Sequence, residues 1–367
     1  MKSREKKRNI GIDYVKSFAC FSVIAVHFRL NIQDKIPVQA FGSKMSLFMS
    51  IVYQAFITCV PLFLMATGYL MSKKKWSFSF YVNIFKVVSL YLVCSIFSHY
   101  LCAWYTGAFL SIKEIFENIL FFKLIPYSGY VEMYLGFVFL FPVINLYIEK
   151  TSKKDTKLFI LTMVIICSVA PMVNSNPKLN SFLHLPNYWS NVYPILYYLL
   201  GAYIKEFFQS MDIKRKQMII LWSIYFSSLL VGIIINYSNA NPKVGGTEGY
   251  YGSLIVVIQT VSLFLIVINS FKTENKVVTF LSKNTLSIYL MSYSVDQFIY
   301  PELIQLIGSP KKLCYMMPIV VILIFILSSV LASFASRINR VIWKSDLLQS
   351  ILEKLKNEIS ANLIQSD

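Results

Sequence analysis

Two side chains in the first apolar stretch of this sequence have types and spacing that suit proton and acyl chemistry. The stretch Gly11 to Arg29 reads GIDYVKSFACFSVIAVHFR and holds Asp13, Lys16 and His27 within or at the edges of an otherwise lipid-compatible run. An ionisable group at membrane depth costs at least a few kcal/mol, so a segment that keeps several of them has a use for them. On a helix Lys16 and His27 share one face, close to three turns apart and about 16 Å along the axis. Imidazole takes up and returns a proton near neutral pH, which suits general-base activation of a hydroxyl. A fixed ammonium can attract a phosphate or the carbonyl of a thioester. Plainer readings stand beside these. His27 can hydrogen-bond between helices, and Asp13, three residues before Lys16, can form an ion pair with it.

Few other ionisable residues fall inside apolar runs: Lys86, His99, Glu132 and Asp296, with Glu206 near a run's end. Each must face protein, water or a partner. Glu132 and Asp296 can orient His27 or hold an acceptor hydroxyl, or pair with a polar group on a neighbouring helix. Tyr134 and Tyr289 follow on the same runs and read as packing or interface aromatics. His99 has no motif around it and reads as an interhelical polar group, and His184 as a solvated loop residue. The six cysteines lie in or beside apolar runs without CxxC spacing, as expected for buried thiols, with no metal site or disulfide framework visible.

These residues must be positioned by membrane helices. The chain has 367 residues, 56% hydrophobic and 14% charged, with a mean hydropathy of +0.58, outside the range of ordinary soluble domains. About ten runs are long enough to span a bilayer: 10–30, 47–71, 80–106, 130–148, 157–174, 188–208, 217–236, 250–271, 284–300 and 313–336. The expected fold class is therefore all-α, a polytopic integral membrane protein in the cell membrane. The net charge of +17 would suggest nucleic acid in a soluble protein. Here well over half of the 35 Lys and Arg cluster in alternate connecting segments, including Lys73 to Lys75, Lys150 to Lys157, Lys272 to Lys283 and Arg337 to Lys344. That is the positive-inside pattern; it makes anionic lipid headgroups the partners, nucleic acid none, and both termini cytoplasmic.

The N-terminal MKSREKKR and the run after it read as a retained first helix, because Asp13 and Lys16 interrupt the apolar region and no small-residue cleavage site follows. The outer segments 174–187 and 236–249 are rich in Asn, Pro and Gly, and 111–123 reads as a short amphipathic surface piece. No internal repeat or soluble domain is visible. Residues 1–340 are expected to form one transmembrane domain, and 341–367 a cytoplasmic amphipathic tail in which Leu347, Leu348, Ile351, Leu352, Leu355 and Ile359 recur at helical spacing.

In sequence the first helix resembles that of the membrane acyltransferase-3 family, whose pattern is a basic residue, ten residues, then histidine; Lys16 and His27 match it without a shift. VPLFLMATGYLMSKKK (60–75) is similar to the family's second helix and basic exit loop, GYVEMYLGFVFLFPVIN (129–145) to its fourth helix, and LSKNTLSIYLMSY (281–293) to its penultimate one. The resemblance runs through nearly the whole chain in order. It implies transfer of an acyl group, most often acetyl, from cytoplasmic acyl-CoA to a hydroxyl of a cell-surface glycan or lipid-linked precursor. His27 would be the base, Lys16 would steer the donor, and acyl-CoA would be a substrate with no permanently bound cofactor. Asp13, Lys86, Glu132 and Asp296 are the remaining candidates for substrate binding, and Lys73 to Lys75 offer screening for CoA phosphates beside their topological role. The sequence departs from the family pattern in three places. Asn83 and Lys86 stand where paired arginines are common, Gly129 stands where an aromatic is common, and Ser292 where the penultimate helix commonly ends in histidine. For such a path to work, Lys16 and His27 must face a common cavity. Two other classes fit intramembrane charges on about ten helices: a carrier or flippase without chemistry, or a structural subunit of an envelope-assembly complex.

Overall fold

The computed structural model describes residues 8–35, 43–175, 180–208, 213–238 and 251–364. The start of MKSREKKR and most of the outer segment 236–249 lie outside the described residues. No β-strand occurs among the described residues. The chain begins with α1 (Ile10–Lys35), α2 (Ser43–Phe56), α3 (Cys59–Met71), α4 (Phe78–Thr106) and the short α5 (Ile112–Leu120). A 3₁₀ turn (Pro126–Ser128) leads into α6 (Gly129–Val138), then α7 (Phe141–Lys150), α8 (Lys153–Val164) and α9 (Ala170–Ser175). Next come α10 (Tyr193–Phe208), α11 (Arg215–Ser238), α12 (Leu254–Ser270), α13 (Lys276–Lys283), α14 (Thr285–Ile307), α15 (Pro310–Lys344) and α16 (Asp346–Ile364).

Helices are the outcome because each apolar run must satisfy its backbone N–H and C=O groups within itself. Local residues set where they start and stop. The Ser77 hydroxyl accepts from the Phe80 amide at the start of α4, and Gly107 ends that helix with φ +74°. Ser111 and Glu114 form a reciprocal capping box on α5, and those bonds hold the exposed Glu114 carboxyl below its ordinary range.

Each of the ten expected spans contains helix among its described residues, although 188–208 and 250–271 become α-helical only at Tyr193 and Leu254. Among the described residues six stretches are long and apolar enough to cross a membrane, and a seventh is reached if α6 and α7, bent by 51° at Phe139–Leu140, count as one span. The expected span 130–148 is therefore a broken helix. The expected span 47–71 is two helices in near-continuation, α2 and α3.

The molecule is built around α1, which packs against α2, α3, α12, α13, α14 and α15. Its membrane window is 67% buried, against 6% for that of α11 at the periphery. Beside it, α3 and α10 cross at glycines. A Cβ at Gly68 would lie 2.0 Å from the Tyr198 carbonyl oxygen, and one at Gly201 would lie 2.0 Å from that of Met65. Small residues that let backbones meet are how membrane helices pack closely without a hydrophobic drive. A buried amide set joins α2, α11 and α12: Gln54 Nε2 donates to Gln259 Oε1 (2.8 Å), and Asn236 Nδ2 donates to Gln54 Oε1 (2.9 Å).

The basic segments meet one another at one end of the bundle. Arg8 donates to the Thr279 carbonyl, Lys73 pairs with Glu206 at 3.4 Å and Lys75 with Glu149 at 2.9 Å. Lys153 lies 4.3 Å over the Phe208 ring, and Lys86 lies 5.4 Å over that of Trp343. Arg8 and the last turn of α15 therefore belong to the same end.

Candidate active site

Helix α1 carries both Lys16 and His27, and each is held by a different set of neighbours. Near the basic end, Ser282 on α13 inserts between Asp13 and Lys16. Its hydroxyl donates to Asp13 Oδ1 (2.6 Å), and its carbonyl accepts from Lys16 Nζ. The other Asp13 oxygen takes the Arg8 guanidinium at 2.5 Å. The ion pair expected between Asp13 and Lys16 is thus replaced. Arg8 neutralises Asp13, and the Lys16 ammonium turns to a backbone dipole. Asp13 is a clasp between α1 and α13, and it does not line the cavity described next.

Lys16 stands at the wall of a cavity of about 270 Å³ enclosed by α1, α3, α4, α6 and α14. The lining is mainly apolar and includes the hydroxyl-bearing residues Thr67, Tyr130, Tyr134, Thr285 and Tyr289. Such a space, apolar along its length with a cation at its wall, suits a slender chain bearing a polarisable carbonyl. Tyr134 and Tyr289, expected as packing aromatics, are cavity walls.

His27 is not among those walls. Tyr289, which is, holds its ring 6.1 Å from the imidazole, and the ring of Tyr127 lies closer, at 3.8 Å. The Tyr289 hydroxyl donates to the Tyr127 carbonyl. Lys16 and His27 share a helix face but not one open cavity, because these two tyrosines stand between them. Behind the imidazole is a buried polar set. The Tyr127 hydroxyl donates to Asp296 Oδ2 (2.7 Å). Asn31 Nδ2 lies within hydrogen-bond distance of the Tyr127 hydroxyl (2.8 Å), Asp296 Oδ2 (3.2 Å) and the His27 carbonyl (3.0 Å). The His27 Nδ1 atom is buried and has no hydrogen-bond partner among the described residues. Asp296, on α14, is linked to His27 by way of Tyr127, whose ring packs on the imidazole, and Asn31, which bonds the His27 main-chain carbonyl.

Lys86 and Glu132 are not brought to the cavity. Both are exposed, although their neighbours Val87 and Val131 line it. One step along a helix turns the side chain by about 100°, enough to move it off the wall. Lys73 and Lys75 are committed to exposed ion pairs with Glu206 and Glu149, and the Lys75 ammonium holds the Glu149 carboxyl below its ordinary range. His99 is buried beside Tyr100, and His184 accepts or donates at Asn180 on the surface.

The departures from the expected motif are accommodated. A side chain on Gly129 would meet open space. Ser292 is fully buried, and its hydroxyl donates back along its own helix to the Tyr289 main-chain carbonyl (2.8 Å). Asn31, Tyr127 and Ser282 are the residues of the site that sequence reading missed. Only Asn31, one turn after His27, carried a spacing signal.

The acyltransferase-3 family model, described as an acyltransferase domain, matches residues 9–338. The chain belongs to the acyltransferase-3 family. No curated protein and no solved structure matches it. The matched residues of this acyltransferase-3 chain run from the start of α1 almost to the end of α15 and contain Lys16, His27, the cavity walls and Asp296. Membership places the chain among membrane acyltransferases, with an acyl donor, an acyl acceptor and membrane lipid as its context.

Proposed function

We propose that this protein is an integral membrane O-acyltransferase that moves an acetyl group from cytoplasmic acetyl-CoA to a hydroxyl of an extracytoplasmic polysaccharide or its lipid-linked precursor. The observation that carries the reading is the cavity walled by Lys16 on a helix that continues to His27. In this reading the donor enters from the basic end past Lys16, whose charge steers it, and its thioester reaches onward to His27, about 16 Å further along the helix. Lys16 and His27 do not share one open cavity, so this path requires both Tyr127 and Tyr289 to move aside. The imidazole takes the proton of the acceptor hydroxyl, and the oxygen attacks the thioester carbon. The C–S bond then breaks, and the departing thiolate takes the proton from the imidazolium.

General-base catalysis contributes about 10²–10⁴-fold. His27→Ala is therefore expected to abolish detectable acylation of the surface glycan in cells where its expression matches that of the wild type. Full acylation in that variant would remove His27 from its role. Transfer from radiolabelled acetyl-CoA by the purified protein separates an enzyme from a carrier or a structural subunit.

A further inference from the structure

A second cavity lies at the basic end and is distinct from the one at Lys16. It has a volume of about 350 Å³ and sits between α13, the start of α14 and the last turns of α15. Lys276, Lys283, Arg337 and Arg340 line it, with Asn284 and Ser336 supplying neutral hydrogen-bonding groups, and no Asp or Glu does. Three other cations at this end are answered by acids: Arg8 by Asp13, Lys73 by Glu206 and Lys75 by Glu149. None of the four cations of this cavity forms an ion pair among the described residues.

Like charges gathered in one concavity repel one another and focus a positive potential, an arrangement that an anion relieves. Paired guanidinium groups flanked by lysines match the geometry of phosphate oxygens, which accept bidentate hydrogen bonds from arginine. The cavity also backs onto the candidate active site. Lys283 and Asn284 face it, whereas the adjoining Thr285 and Leu286 line the Lys16 cavity.

We propose that this pocket binds a phosphate group. Two molecules at this end carry one in the required setting: the phosphorylated adenosine end of an acyl-CoA, and the headgroup of an anionic phospholipid. The first source rests on the function proposed above; the second does not.

The test uses the purified full chain in phosphatidylcholine nanodiscs containing phosphatidylglycerol. Equilibrium binding of radiolabelled coenzyme A, which has no acyl group to transfer, is measured beside the phosphatidylglycerol retained in native mass spectrometry. Arg337→Gln/Arg340→Gln is compared with the wild type and with Arg337→Lys/Arg340→Lys, which keeps the charge; both arginines are exposed, so the fold does not depend on them. The glutamine variant is expected to weaken one of the two ligands about ten-fold or more, and the lysine variant less. Lost coenzyme A binding with retained lipid assigns the donor, and lost lipid with retained coenzyme A binding assigns the headgroup. Unchanged affinity for both overturns the proposal. Neither readout needs turnover, so a wild type that transfers no acyl group would fail the proposed function and leave the pocket standing.

Discussion

The imidazole of His27 is set in place by uncharged neighbours. Tyr127 packs close to it with its ring tilted by 44° and also ties Asp296 to Asn31 through one hydroxyl. Tyr127→Phe keeps the ring and removes that hydroxyl, which leaves a buried carboxylate short of a donor. The expected cost is about 1–3 kcal/mol of stability, read as a lower thermal midpoint in detergent. In the proposed mechanism Tyr127 positions the base and does not hold the donor, so kcat should fall with KM for acetyl-CoA unchanged. An unaltered kcat would show that the network serves folding alone. At this scale the ionisable members were legible, since Lys16, His27 and Asp296 stand out against apolar runs. Tyr127 was not, because it lies in a 3₁₀ turn outside any helical period. Lys86 and Glu132 carried the same compositional signal as Asp296, yet project away from the cavity. Charge in an apolar run marks a candidate but does not say which way it points.

At the scale of elements, the crossing of α3 and α10 fixes the wall of the Lys16 cavity, because Val60, Phe63, Ala66 and Thr67 all come from α3. Gly68 and Gly201 leave no room between the backbones, and the atoms a new Cβ would strike are main-chain atoms that cannot swing aside. Gly68→Ala is therefore expected to lower the yield of monodisperse protein and its thermal midpoint. Gly129→Ala, where the added atom meets open space, should behave as the wild type. Equal midpoints for the two variants would mean that the crossing yields easily. The existence of these helices was legible from apolar run length alone. The break between α6 and α7 was not, since residues 130–148 read as one continuous apolar run.

For the whole molecule, the clustering of basic segments at one end gives the path a direction. If that end is cytoplasmic, a membrane-impermeant maleimide applied outside intact cells should label Tyr188→Cys and spare Lys154→Cys, both exposed positions. A Cys102→Ser background is needed, because Cys102 is the half-buried native thiol, whereas the other five are buried. The reverse pattern would invert the proposed direction of acyl transfer.

Composition and helical period settle the all-α membrane architecture and the shared face of Lys16 and His27. These follow from rules that act within one segment: backbone groups must be satisfied inside an apolar run, and side chains recur every 3.6 residues. Packing alone decides that Ser282 separates Asp13 from Lys16, that Tyr127 and Tyr289 stand between the cavity and His27, and that four unpaired cations from α13 and α15 enclose one pocket. A helix's own period fixes the angles between its side chains. Its rotation and tilt against its neighbours are set by contacts such as those at Gly68 and Gly201, between residues far apart in the chain.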